Sequence, residues 1–145
     1  MDKIKWMIVW LVMGILPLPV FAQQKVSWET LAKVNYEFIR KEGQALWFGK
    51  ASFPPEIQSL EGQQIRITGH VLPADASENS YILSAFPFSS CYFCGGAGPE
   101  SVVELHLKKR KEKYKLDEVV TFTGILRLND REMELNYILE EAEAE

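Results

Sequence analysis

From Gly62 onward, apolar side chains recur at every second position. Ile65, Ile67, Gly69 and Val71 alternate with Arg66, Thr68 and His70. Val103, Leu105 and Leu107 alternate with Val102, Glu104 and His106, and Val120, Phe122, Gly124 and Leu126 alternate with Thr121 and Thr123. A period of two sends successive side chains to opposite faces of a strand, so these runs predict strands with one buried face. Shorter runs at Tyr81 to Ala85 and Leu135 to Leu139 bring the predicted strands to five. The first and fourth share the pattern apolar-x-apolar-Thr-Gly-x-apolar, at Ile65 to Val71 and Val120 to Leu126. A glycine inside a strand marks a bulge or a sharp bend, the means by which a small barrel turns its corners.

Before Gly62 the pattern is different. Trp28, Leu31, Ala32, Phe38 and Ile39 recur at helical spacing behind Ser27, whose side chain can accept from the free amides of a first turn. Glu29 sits near the positive end of that turn, and Gly43 supplies a stop. The expectation is a helix from about Trp28 to Lys41. Leu46-Trp47-Phe48 and Phe53-Pro54-Pro55 follow, too aromatic for a solvated linker and too proline-bound for a regular helix, so this stretch is expected to wrap against a sheet.

These elements predict a mainly β fold: a small five-stranded barrel resembling the oligonucleotide/oligosaccharide-binding (OB) type over residues 63–139, with a five-stranded sandwich as the alternative that strand count and bends leave open. An N-terminal helix and an aromatic, proline-containing covering segment occupy residues 23–62, and Glu140 to Glu145 form a solvated acidic tail.

The first residues read as an address rather than a fold. Lys3 and Lys5 precede an apolar run from Trp6 to Phe21, and Val20-Phe21-Ala22 places small residues where a signal peptidase reads. Gly14, Pro17 and Pro19 interrupt the run, and no basic stop signal follows it. Residues 1–22 are therefore expected to be a cleaved secretory signal, leaving no stable membrane span and an exported chain, periplasmic in a Gram-negative bacterium or secreted.

Composition narrows the class. With 47% apolar, 25% charged and 12% aromatic residues in a chain of 145, the sequence suits one ordinary globular domain and excludes disordered and collagenous ones. Two cysteines exclude a multi-bridge disulfide framework. The net charge is -4, and without the signal it falls to about -5, which argues against nucleic acid as a partner. Outside the cytoplasm a thiol pair tends to be oxidised unless a metal or a dedicated reductant holds it.

Candidate chemistry gathers in Cys91-Tyr92-Phe93-Cys94-Gly95-Gly96-Ala97-Gly98-Pro99-Glu100. A C-x-x-C spacing lets two sulfurs face one point, as a tetrahedral metal site or a redox pair requires. A thioredoxin-like pair lowers its thiolate pKa at a helix N-terminus, and Gly95 to Pro99 cannot open a stable helix. Glycines after the second cysteine instead permit the positive φ of a metal knuckle. His106 and His70, each on the polar face of its strand, would complete a tetrahedral zinc set with Cys91 and Cys94. The alternatives at this point are a bridge, which would contribute only about 2 kcal/mol across so short a loop, and free thiols.

The basic run Lys108-Lys109-Arg110-Lys111-Glu112-Lys113-Tyr114-Lys115 reads as a solvated loop, with an anionic glycan or lipid headgroup as its functional alternative. No G-x-S-x-G elbow, Walker loop, dinucleotide fingerprint or H-E-x-x-H occurs, so an enzyme is the minority expectation.

The runs Leu60-Glu61-Gly62, Thr68 to Pro73 and Tyr81 to Ser84, the cysteine loop with Val102 to Leu105, Val120 to Leu126 and Tyr137-Ile138-Leu139 together resemble an uncharacterised family of exported bacterial proteins catalogued as a domain of unknown function. The resemblance covers roughly Trp28 to Leu139. In one branch of that family the loop reads cysteine-x-histidine-x-proline-proline, so Cys91 carries over, Phe93 stands at the histidine position and Cys94 is added. That branch is similar to companions of metal-responsive transport systems, which implies an envelope protein or a transport system as partner. The reading is an exported, non-enzymatic binding module holding zinc or a similar soft ion. Its alternatives are a thiol/disulfide redox protein using Cys91 and Cys94, or a protein-protein adaptor with an inert bridge.

Overall fold

The computed structural model describes residues 23–40, 47–75, 80–109, 113–131 and 134–145. The putting-together of the fold begins with a short strand β1 (Gln24–Lys25) and one helical turn α1 (Trp28–Leu31). An antiparallel hairpin β2 (Asn35–Arg40) and β3 (Trp47–Ser52) follows, then a second turn α2 (Pro55–Gln58). The barrel strands are β4 (Gln64–Asp75), β5 (Ser80–Ser84), β6 (Val102–Leu107), β7 (Val119–Leu128) and β8 (Tyr137–Ala144).

Strand order around the barrel is β4-β5-β6-β8-β7, and β7 returns to β4 to close it. The β6–β8 pair is parallel and the other barrel pairs are antiparallel. This closed, mixed, five-stranded barrel is the expected one, and each of the five predicted strands is present. β1 adds to β4 in parallel through Gln24 and Lys25.

Alternation explains the core. Ile65, Ile67, Val71, Leu83, Val103, Phe122, Leu126 and Leu139 all point inward and are at most 1% exposed. One end of this core is closed by Leu31 of α1 with Ile57 of α2 and Leu60, as the covering segment was expected to do. The buried hydroxyl of Tyr137 donates to the Leu31 carbonyl at 2.7 Å, and Phe53 packs on the Tyr137 ring. Ser27 caps α1 as expected, accepting from the Thr30 amide.

The two strand glycines do different work. A Cβ at Gly124 would stand 2.6 Å from the Glu140 carbonyl oxygen. There β8 carries an extra residue against both of its neighbours, and Glu141 takes a positive φ of 51°. The bulge thus lies on the facing strand, and Gly124 makes room for it. Gly69 has no register shift beside it, but a Cβ there would stand 2.5 Å from the Ser84 carbonyl oxygen, so it permits close approach of β4 and β5.

Two expectations are corrected. The helix from Trp28 to Lys41 stops after Leu31, and Asn35–Arg40 is strand β2 instead. Cross-strand pairing with β3, from Arg40 opposite Trp47 to Asn35 opposite Ser52, outweighs the local helical spacing. The acidic tail is not a solvated end: it is the second half of β8, with Ala142 1% exposed in the core. Three of its four acids are paired, Glu140 with Arg127, Glu143 with Lys108 and Glu145 with Arg66. The signal reading of residues 1–22 and the stop at Gly43 lie outside the described residues. Among the described residues no helix is long and apolar enough to cross a membrane.

Candidate dithiol site

The segment between β5 and β6 folds back over the outside of the barrel. On β4, β5 and β6 the outward-facing residues include Leu72, Ile82 and Val102, the complement of the inward Val71, Leu83 and Val103. These three would be an exposed apolar patch if nothing covered them. Cys91 covers them, fully buried, in a second cluster separate from the barrel interior and flanked by Leu135. Its burial is that of a small hydrophobe.

Short-range hydrogen bonds set the loop geometry. Three-residue 3₁₀ turns at Phe88–Ser90 and Tyr92–Cys94 bracket Cys91. The Cys91 carbonyl accepts from the amides of Cys94 and Gly96, each at 3.2 Å. Gly95 ends the second turn at φ 74°, the left-handed conformation that the glycine was expected to supply. Cys94 is thereby turned to solvent, beside the Cys91 sulfur. Desolvation, and next the neighbouring Cys91, push the Cys94 thiol above its ordinary value. The thiol form is favoured, the reverse of what an activated redox cysteine needs.

The histidines are placed differently from the sulfurs and from each other. His106 is exposed and its Nε2 lies 3.1 Å from Glu104 Oε1 on the same strand face. Four residues of strand separate it from Val102, about 13 Å. His70 borders the Cys91 cluster instead, in a cross-strand row with Ser84 and Val102 and one side chain from Leu72 on the same face. Its Nδ1 is buried without a hydrogen-bond partner among the described residues. Of the two, His70 therefore lies nearer the cysteine loop, although sequence spacing favoured His106. The four-residue tetrahedral set is not assembled: among the described residues no group of three or more His, Cys, Asp or Glu side chains could hold a metal ion. What fits zinc is the sulfur pair alone, two of four positions.

A polar cluster missed in the sequence adjoins the loop. The Tyr36 hydroxyl donates to Asn136 Oδ1 at 2.9 Å, and Glu100, from the same loop as the cysteines, lies beside Tyr36. Burial first, and then the Glu100 charge, raise the Tyr36 phenol above its usual range. No local signal marks this cluster, because Tyr36 of the hairpin and Asn136 just before β8 are 100 residues apart and meet only in the folded chain. Elsewhere, an open cleft of about 500 Å³ lies between the hairpin and the end of β7, lined by Glu37, Lys50, Ser52, Gln58 and Asp130 among others.

The basic run also resolves into parts. Lys108 and Lys109 pair with Glu143 at 3.0 and 3.6 Å. Tyr114 offers no free stacking face, since its ring packs edge-on against Tyr81 and Phe122 at centroid distances of 5.4 and 5.3 Å.

Fold and site together define an OB-like barrel whose outer face is sealed by a dithiol loop. A crystal structure of a DUF3299 family protein from Pseudomonas aeruginosa PAO1 is similar to it, with a TM-score of 0.54 and 13% sequence identity, over 86% of this chain and 97% of that one. At that identity the likeness speaks for the fold, and it agrees with the resemblance to a domain of unknown function read from the sequence. Neither a protein-family model nor a curated protein matches this chain.

Proposed function

We propose that the chain acts as an exported, non-enzymatic binding module of the cell envelope, and that the Cys91–Cys94 loop takes its ligand, zinc or a similar soft ion. The observation that carries this reading is the pairing of two sulfurs in one hydrogen-bonded loop, one buried and one facing solvent. Two thiolates leave half of a tetrahedral shell to donors from water or a partner, and open positions favour exchange over permanent storage. Handover to a transport-system partner is a use that suits such a half-site.

A second reading is favoured by the same adjacency: with Cys94 in solvent and Cys91 beside it, the pair can close to a disulfide in an oxidising compartment. Native mass spectrometry of the chain from residue 23 onward, with thiol counting before and after a chelator, separates the two. A metal-mass adduct that the chelator removes, freeing both thiols, supports the binding module. A bridge that opens and closes reversibly at a defined potential supports the redox reading. If Cys91→Ser alters neither metal content nor redox behaviour, both readings fall.

A further inference from the structure

The exposed large apolar side chains of the described residues are Phe86, Phe88, Tyr92, Phe93, Leu116 and Val119, and all six sit on two segments joined by a hydrogen bond. Phe86 to Phe93 belong to the cysteine loop; Leu116 and Val119 belong to the turn entering β7. The two segments are locked together. The Phe88 amide donates to Asp117 Oδ1 at 2.7 Å, and Asp117 takes a positive φ of 62° to present that oxygen. The turn is held in place by Val71, whose carbonyl accepts from the Asp117 amide at 2.9 Å and whose amide donates to the Glu118 carbonyl at 2.8 Å. The two segments that carry these side chains are therefore tied to each other at Phe88 and Asp117, and the Tyr92 and Phe93 rings pack on one another at a centroid distance of 5.2 Å.

Exposed large apolar side chains gathered on two joined segments point to an interaction surface. Its charge setting selects the partner. The chain carries a net -4, yet the basic run leads directly into this turn, with Lys113 and Lys115 exposed immediately before Leu116. The acids of the turn are directed at backbone amides, Asp117 at Phe88 and Glu118 at Lys115. Aromatic tips on projecting loops, flanked by lysines, have the composition of a headgroup-level anchor: rings enter the interface while lysines meet anionic headgroups. A protein partner would need pockets matched to each ring, whereas a fluid bilayer accepts convex tips as they stand.

We propose that this face docks the protein peripherally onto anionic lipid bilayers. The proposal is independent of whether the cysteines hold metal, and the variants below leave both cysteines in place. The full chain from residue 23 onward is sedimented with vesicles of phosphatidylcholine alone and of phosphatidylcholine with roughly one-third phosphatidylglycerol, at low and high salt. Binding should be confined to the anionic vesicles and weaken with salt. Phe86→Ser with Leu116→Ser should lower the partition coefficient at least about tenfold through lost apolar insertion, and Lys113→Glu with Lys115→Glu by about tenfold or more. A thermal melt by circular dichroism checks each variant; should the apolar pair fail to fold, the charge pair decides. Absence of binding to the anionic vesicles, or binding of the folded variants equal to that of the parent, overturns the proposal. So does a chain that ignores vesicles but dimerises through this face in sedimentation equilibrium, a dimer lost in the Phe86→Ser, Leu116→Ser variant.

Discussion

The barrel interior and the small cluster on its outer face are built from alternate residues of the same strands, yet they are held in opposite ways. Val71, Leu83 and Val103 face inward, where five strands and the N-terminal turns enclose them. Leu72, Ile82 and Val102 face outward and are covered by Cys91 of the cysteine loop, with Leu135 packed beside them. The interior is over-determined, because removing any one residue leaves the others in place around it. The outer cluster depends on the loop, so whatever changes Cys91 or its neighbour Cys94 changes what covers the sheet. A site that must open to a ligand belongs on such a locally held surface.

The contrast can be tested most strongly by deleting Phe122, fully buried in the interior. Phe122→Ala should cost about 3–5 kcal/mol and appear as a single cooperative transition at lower denaturant. Cys91→Ser places a hydroxyl among apolar side chains and should cost about 1–3 kcal/mol. Its distinguishing mark is local: hydrogen exchange should accelerate in residues 86–100 while the Phe122 amide stays protected. A uniform acceleration would dissolve the distinction between the two regions. The next effect concerns ligand binding and pH. Because the Cys94 thiol is raised, zinc must displace its proton along with any other that the pair holds, so zinc affinity should fall at least about tenfold per unit as pH drops through the mildly acidic range, read by competition with a chromogenic chelator. Affinity that is flat between neutral and mildly acidic pH would mean Cys94 is not a ligand. The smallest expected effect is none: His106→Ala should leave zinc stoichiometry unchanged, because its ring lies against Glu104, away from the sulfurs. A loss of metal in that variant would restore His106 as a ligand.

The barrel was legible in the sequence because a half-buried strand writes its own period, and Ile65 to Val71 or Val120 to Leu126 could hardly be read otherwise. β2 was not, since Phe38 and Ile39 fit a helical stripe and what overrides it is hairpin pairing with β3, which a stripe does not show. The end of β8 does carry a strand signal. Glu141-Ala142-Glu143-Ala144 alternates with a period of two, and its charges masked a strand whose acids have basic partners waiting on β4, β7 and the β6–β7 loop. At the site, the C-x-x-C spacing and Gly95 foretold two adjacent sulfurs and a left-handed turn. Which sulfur is buried was not readable, because the outer cluster is assembled from three strands. The same holds for the histidines: alternation put both on the outer face, and only register showed His70 beside the cluster and His106 two residues past Glu104's row.

The central claim is that one loop holds two unlike thiols, a buried Cys91 that seals the sheet and a solvent-facing Cys94 through which the pair takes its ligand. It is tested most directly by brief iodoacetamide labelling of the reduced native chain, with and without zinc, and mass mapping of the modified cysteine. The account predicts that Cys94 is labelled first, that zinc protects it, and that Cys91 reacts only once denaturant opens the loop. Equal labelling of both cysteines in the native chain, or labelling of Cys94 that zinc leaves unchanged, would contradict it.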